Sequence, residues 1–340
     1  MSRYLNKQKH INILKASLLL LFIVLSFIVS IREPILHADS IRYAEYFENV
    51  KAWGIYGDTE ILFLIITYVV SIFSSSLVFY FFFLFWLLIL FHYVLIRVIS
   101  KEVPTAYKDK LNLYFIFLLS STWFYVCAVN GIRQGLSLPL IYLSLVFLHN
   151  NRLFMSSMLL LISAGFHYSA FLYLPFFLII KFNFKFCISL YFIFLIGYYL
   201  EINEAFIKYT SSLLNLPLYG LIKEFAHGTT EYWYGFQAKF VFYTTFFLLF
   251  FIALINYIHE DFRRLYVCFL KIFIALSCCY FFYGFGAFSN RYAFGVWNFI
   301  PLMLTLSFIS VSISAKDKMI ILVIFIPVSV LIFISRFYWF

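Results

Sequence analysis

The stretch "ILFLIITYVVSIFSSSLVFYFFFLFWLLILFHYVLIRVI", residues 61–99, decides the fold. It contains no acid, and its only cation is Arg97 near the far end. One helix needs roughly 20 apolar residues to cross the hydrocarbon core of a bilayer. This run is about twice that length, and the serines at 74–76 break it. Ser hydroxyls compete with the helical backbone for hydrogen bonds, so the cluster reads as a turn. We read 61–73 as a short segment that dips into the membrane and returns, followed by a full span over 78–99.

The rest of the chain agrees with a membrane setting. Of 340 residues, 64% are hydrophobic and 12% charged, about half the charged share of a soluble domain. Apolar runs recur throughout, giving eleven spans: 13–31, 78–99, 111–129, 136–148, 153–166, 168–180, 186–200, 240–258, 265–283, 292–313 and 319–335. The expected fold is therefore all-α: a single polytopic transmembrane domain over 1–340, with one re-entrant segment. The opening run is too long for a cleaved signal peptide and lacks a small-residue cleavage site, so it reads as a retained span. The five cysteines sit in or beside apolar runs without metal-ligand spacing, as small apolar residues would.

Charge sets the orientation. The net charge of +10 is scattered between spans rather than clustered, which points away from nucleic acid. With the N-terminus cytoplasmic, most of the 25 Lys and Arg fall inside and most of the 15 Asp and Glu outside. Treating 61–73 as a crossing would put Lys101, Lys108, Lys110, Lys181 and Lys185 outside, against the positive-inside rule. The two long loops, 32–60 and 201–239, then face outward, and the internal connections are too short to house much chemistry. Residues 153–180 supply only 28 residues for two crossings. At about 1.5 Å per residue each arm rises roughly 21 Å, which places His167 at the apex below the outer surface.

Few polar residues remain to carry chemistry. Arg133 lies between apolar runs, flanked by Gly131 and Gly135. An arginine at such a place needs a wet recess or a partner, or else snorkels to the interface. If it is functional, the glycines leave room for a headgroup, the planar guanidinium suits a phosphate, and Gln134 adds a donor. Arg291, near Gly284, Gly286 and Gly295, has a similar setting, and the two arginines could grip one pyrophosphate. His167 reads equally as a structural or a catalytic imidazole. In the first loop, Asp39 precedes Tyr43 and Tyr46 at helical spacing, an aromatic face suited to a sugar or to a membrane interface. Glu60 leads the dipping segment. Asp58 and Glu60 are spaced like a metal pair, but the spacing alone is weak, and no metal or cofactor is expected. The loop 201–239, with Tyr232, Trp233, Tyr234 and Phe236, reads as a lid over the site or as an interfacial cap.

In their order, Asp39 with Tyr43 and Tyr46, Glu60, "IRQG" at 132–135, "FHYSA" at 166–170 and "NRY" at 290–292 resemble the EpsG family of polysaccharide-assembly membrane proteins, which is related to the Wzy polymerases. The resemblance implies glycosyl transfer on the outer face of a bacterial inner membrane. The growing glycan on undecaprenyl pyrophosphate would move onto another lipid-linked repeat unit, with a chain-length regulator as a possible partner. In that reaction Arg133 and Arg291 would receive the leaving pyrophosphate, while Asp39, Glu60 and His167 compete to be the base, with His167 preferred. A carboxylate in an apolar recess, with a raised pKa, would also serve. A flippase for lipid-linked glycan, a membrane acyltransferase acting on surface sugars and a non-catalytic scaffold are the competing readings.

Overall fold

The computed structural model describes residues 2–34, 38–55, 60–224 and 235–311. The span expected at 319–335, the lid residues Tyr232 to Tyr234, and Asp58 lie outside them. Among the described residues the chain is helical, and its only β contact is an isolated bridge between Ile258 and Val311. Five helices are long and apolar enough to cross a membrane, or seven if two bent pairs each count as one span. The protein is a multi-pass membrane protein on this ground and on a second one. The helix Ala238–Leu254 exposes Phe242 (73%), Phe246 (53%) and Leu249 (53%), an apolar face of the kind that meets lipid.

The chain forms two compact units. The first holds the described residues up to Ser144 together with Phe154–Ala170; the second holds Leu145–Leu153 and the residues from Phe171 on. The first unit contains α1 (Ser2–Ser30), α2 (Ala38–Trp53), α3 (Ile61–Phe73), α4 (Leu77–Glu102), α5 (Tyr114–Leu119), α6 (Thr122–Val129), most of α7 (Ile132–His149) and α8 (Leu153–Phe166). The 61–99 run divides where the serines stand. Ser74 ends α3 in an extended conformation, and the Ser76 hydroxyl accepts the Phe79 N–H to start α4. With 13 residues, α3 rises about 20 Å, too short to cross alone.

Several of the expected spans differ from continuous α-helices. The run 111–129 breaks at Ser120 and Ser121 with a 72° bend. The Ser120 hydroxyl folds back on the Phe117 carbonyl at 2.7 Å, and Ser121 is extended, which ends the helix locally. Tyr168–Lys181 is a 3₁₀ helix, not an α-helix. At about 2.0 Å per residue its 14 residues reach roughly 28 Å, so this arm is longer than α geometry allows. The last described span is divided between Trp297 and Ile300.

In the second unit, α13 (Glu260–Tyr283) is central, with nearly every side chain from Cys268 to Tyr283 buried. The span 186–200 ends as expected, and its continuation turns through 82° from α9 (Phe184–Tyr199) to α10 (Ile202–Leu213). Asn203 pins the bend by donating to the Phe194 and Phe281 carbonyls at 2.9 and 3.1 Å. Gly197 is needed there, because a Cβ would overlap the Asn203 amide.

A candidate site built on a buried carboxylate

The helices α7 and α8 pack through small residues spaced seven apart. Ser137 meets Ser163 hydroxyl to hydroxyl at 2.6 Å, and Ser144 donates to the Ser156 carbonyl at 2.6 Å. Seven residues are about two helical turns, so the four serines form a single seam between antiparallel helices. Arg133 lies one turn before Ser137, and His167 lies one turn after Ser163. The register therefore delivers both residues to the same end of the hairpin.

Glu60 completes the group. It stands immediately before α3, and α3 approaches α8 because position 165 is glycine: a Cβ there would sit 2.6 Å from Leu62 Cγ. The Glu60 side chain is buried, and both carboxylate oxygens are used. Oε2 accepts Arg133 Nη1 at 2.6 Å; Oε1 accepts His167 Nδ1 at 2.7 Å and the Tyr168 backbone N–H at 3.3 Å. Burial alone would raise the Glu60 carboxyl. The His167 hydrogen bond and the Arg133 charge outweigh it and hold the group well below the usual carboxylate range.

Aromatic rings frame the arginine. Its guanidinium lies 5.9 Å from the Tyr43 ring centre and 5.7 Å from that of Tyr46, so the aromatic face expected on α2 turns toward a cation. The Tyr43 hydroxyl donates to the Asn130 carbonyl at 3.1 Å, which fixes α2 against the turn leading into Arg133. Asp39 occupies the first turn of α2, on the same face by helical spacing, where a negative charge favours the helix end. Gln134 is buried. Arg291 belongs to the second unit, in the first turn of α14 (Ser289–Trp297), with its guanidinium 4.4 Å from the Phe288 ring centre.

Two expectations are corrected. Gly135, Gly284, Gly286 and Gly295 sit in close contacts rather than in open space. A Cβ at Gly135 would stand 2.8 Å from Cys127 Cβ and 2.9 Å from its carbonyl oxygen, so this glycine lets α7 press on α6. In the second unit, Gly284 packs on Tyr280, Gly286 on Ile222 and Gly295 on the Tyr173 hydroxyl. Glu60 also departs from the raised-pKa carboxylate suggested for the base, because two partners stabilise its charged form. Among the described residues, no group of three His, Cys, Asp or Glu side chains is placed to hold a metal ion.

The sequence reading also passed over Arg32, just after α1, which the structure buries beside this group. Its signal was a cation one residue past the end of an apolar run, an ordinary place for a snorkelling side chain.

The family model for the EpsG family matches residues 15–339. The chain belongs to the EpsG family. That match spans every residue of the Glu60 group and nearly the whole length of this EpsG-family chain. No curated protein and no solved structure matches it.

Proposed function

We propose that this EpsG-family protein is a polysaccharide polymerase. It joins oligosaccharide repeat units carried on undecaprenyl pyrophosphate into O-antigen, capsule or exopolysaccharide, at the outer face of a bacterial inner membrane. The reading takes the N-terminus as cytoplasmic, with eleven crossings and 61–73 as a re-entrant segment. The observation that carries it is the shared carboxylate. Glu60 accepts from His167 Nδ1 and from Arg133 at once.

In this reading Glu60 holds the imidazole with its proton on Nδ1, which leaves Nε2 to exchange a proton with the acceptor sugar. His167 takes the proton of the acceptor hydroxyl as that oxygen bonds to the anomeric carbon of the donor glycan. The bond from that carbon to the pyrophosphate oxygen breaks, and the electron pair leaves with the lipid pyrophosphate. Glu60 stabilises the imidazolium that forms, and Arg133 stabilises the departing anion. The half-buried ring of Tyr46 offers a face for a sugar, while Tyr43, buried against Phe63, holds α2 in place.

The test is polymerisation by the purified protein in lipid nanodiscs, given lipid-linked repeat units and no nucleotide sugar. Glycans longer than one repeat are expected, together with released undecaprenyl pyrophosphate. A folded preparation that leaves a panel of repeat units unextended would refute the proposal. Acyl transfer to the glycan, or movement of the lipid-linked glycan across the bilayer without extension, would replace it.

A further inference from the structure

Arg32 is 5% exposed. Its Nη1 donates to the Val29 carbonyl at 2.6 Å, its Nε donates to the Ser40 hydroxyl at 3.1 Å, and the centre of the Phe81 ring lies 3.8 Å from Cζ. Its Nη2 is buried and has no hydrogen-bond partner among the described residues, and none of their ion pairs includes Arg32. The end of α1 and the face of Phe81 offset part of the charge. Neither meets the Nη2 hydrogens. A buried cation without a counter-ion is costly, and burial depresses the pKa of this guanidinium.

Hydrogen bonds tie Arg32 to the candidate site. Ser40, which receives the Arg32 Nε–H, donates its own proton to the Val129 carbonyl at 3.0 Å. One turn along α2, Tyr43 donates to the Asn130 carbonyl and lies beside the Arg133 guanidinium. Both arginines are thus tied to one stretch of α2 and to one helix end. Their charge states differ. The positive charge of Arg133 is cancelled by Glu60, so the Glu60, Arg133 and His167 group has no net charge while the imidazole is neutral. A leaving diphosphate carries at least two negative charges, and Arg32 is the neighbouring cation that no acid among the described residues neutralises.

We propose that Arg32 is a binding residue for a phosphate group of a lipid diphosphate, acting as the second cation beside Arg133. This rests on the reading of the site as one that handles a lipid-linked diphosphate. Nη2 is closed off in this structure, so an anion reaches it only after a local rearrangement around Arg32. Equilibrium affinity is therefore the quantity to measure.

The experiment compares wild type, Arg32→Lys and Arg32→Ala as full chains in nanodiscs. Binding of undecaprenyl pyrophosphate is measured beside that of undecaprenol, which lacks phosphate. A lysine gathers its donors on one nitrogen and cannot reproduce the separate, fixed Nη1 and Nη2 directions of the guanidinium, one spent on the Val29 carbonyl and the other left for the ligand. Arg32→Lys should therefore keep the unfolding temperature of the free protein and bind the lipid diphosphate about tenfold more weakly, with undecaprenol unaffected. If Arg32→Ala fails to fold, the lysine variant carries the test alone. Inorganic pyrophosphate that displaces the lipid identifies the diphosphate as sufficient; no displacement, with the Arg32 dependence intact, identifies the lipid form as the ligand. Wild-type affinity in every variant that folds overturns the inference, and so does an equal loss for both lipids. Arg32-dependent binding in a protein that makes no polymer would sustain the inference and sink the polymerase.

Discussion

Glu60→Gln should abolish most activity whichever way the new amide turns. The native carboxylate meets two donors, Arg133 Nη1 on one oxygen and His167 Nδ1 on the other. A glutamine brings one oxygen and one NH2. With the oxygen toward His167, the proton stays on Nδ1, but the NH2 faces Arg133 donor to donor and the guanidinium loses its counter-ion. With the oxygen toward Arg133, the NH2 donates to Nδ1, the ring proton moves to Nε2, and the proposed base is lost. Breaking a fully buried ion pair costs about 3–5 kcal/mol. The Arg133 side chain is 22% exposed, so water recovers part of that, and about 2–3 kcal/mol of destabilisation is expected.

The effect on the reaction is larger. Misorienting a catalytic imidazole lowers turnover by about four orders of magnitude in the serine hydrolases, and at about 1.4 kcal/mol per decade that is roughly 5.5 kcal/mol of barrier. A loss of 10³- to 10⁴-fold is therefore expected here. The assay is the initial rate of glycan extension from lipid-linked repeat units in nanodiscs, normalised to folded protein by thermal unfolding. A Glu60→Gln protein that extends glycan within threefold of wild type would refute the role given to this carboxylate.

Three further outcomes follow from the same geometry. Asp39→Asn should retain extension within about fivefold, because the proposed proton transfer runs through His167 and Glu60; a 10³-fold loss would return Asp39 to the reaction. Gly135→Ala should lower stability by about 1–3 kcal/mol, since the new methyl meets a backbone carbonyl that cannot swing aside, and an unchanged unfolding temperature would contradict the α6–α7 contact. Acid should remove the contribution of Glu60. Its folded pKa is depressed, so its stabilisation is complete above about pH 4.3, the ordinary value, and is lost as pH falls through the folded value. The stability gap between wild type and Glu60→Gln should hold from pH 8 to 5 and narrow only below that, as read by denaturation at each pH; a gap already closed at pH 6 would contradict the pairing.

What was legible in the chain followed from local composition. The uninterrupted apolar runs marked α4, the helix Ala238–Leu254 and α13, and the serines at 74–76 marked the break before α4. Arg133, His167 and Glu60 drew notice singly, because polar groups beside long apolar runs are expensive. The break at Ser120 and Ser121 was equally local, but a pair of serines is a weaker turn signal than a cluster of three. The 3₁₀ winding of 168–181 leaves no mark in hydropathy, because both helix types bury apolar side chains. Glycine was misread for a related reason: removal of a side chain is compatible with open space and with contact too tight for a methyl group. The packing partner decides between them, and Cys127 and Leu62 are remote from any pattern that the glycines themselves display.

The misjudged chemistry of Glu60 has the same origin. A carboxylate alone in an apolar recess has its pKa raised, whereas one with a cation and a donor has it lowered, and both situations look alike over ten residues of sequence. The deciding partners lie 73 and 107 positions away in the chain. They arrive through the register of Ser137 on Ser163, whose spacing to Ser144 and Ser156 was visible in the sequence but carried no charge to attract attention. The role of the carboxylate is thus set by an uncharged seam two turns long. Changing Ser137 and Ser163 together should move His167 away from Glu60 before it alters either residue.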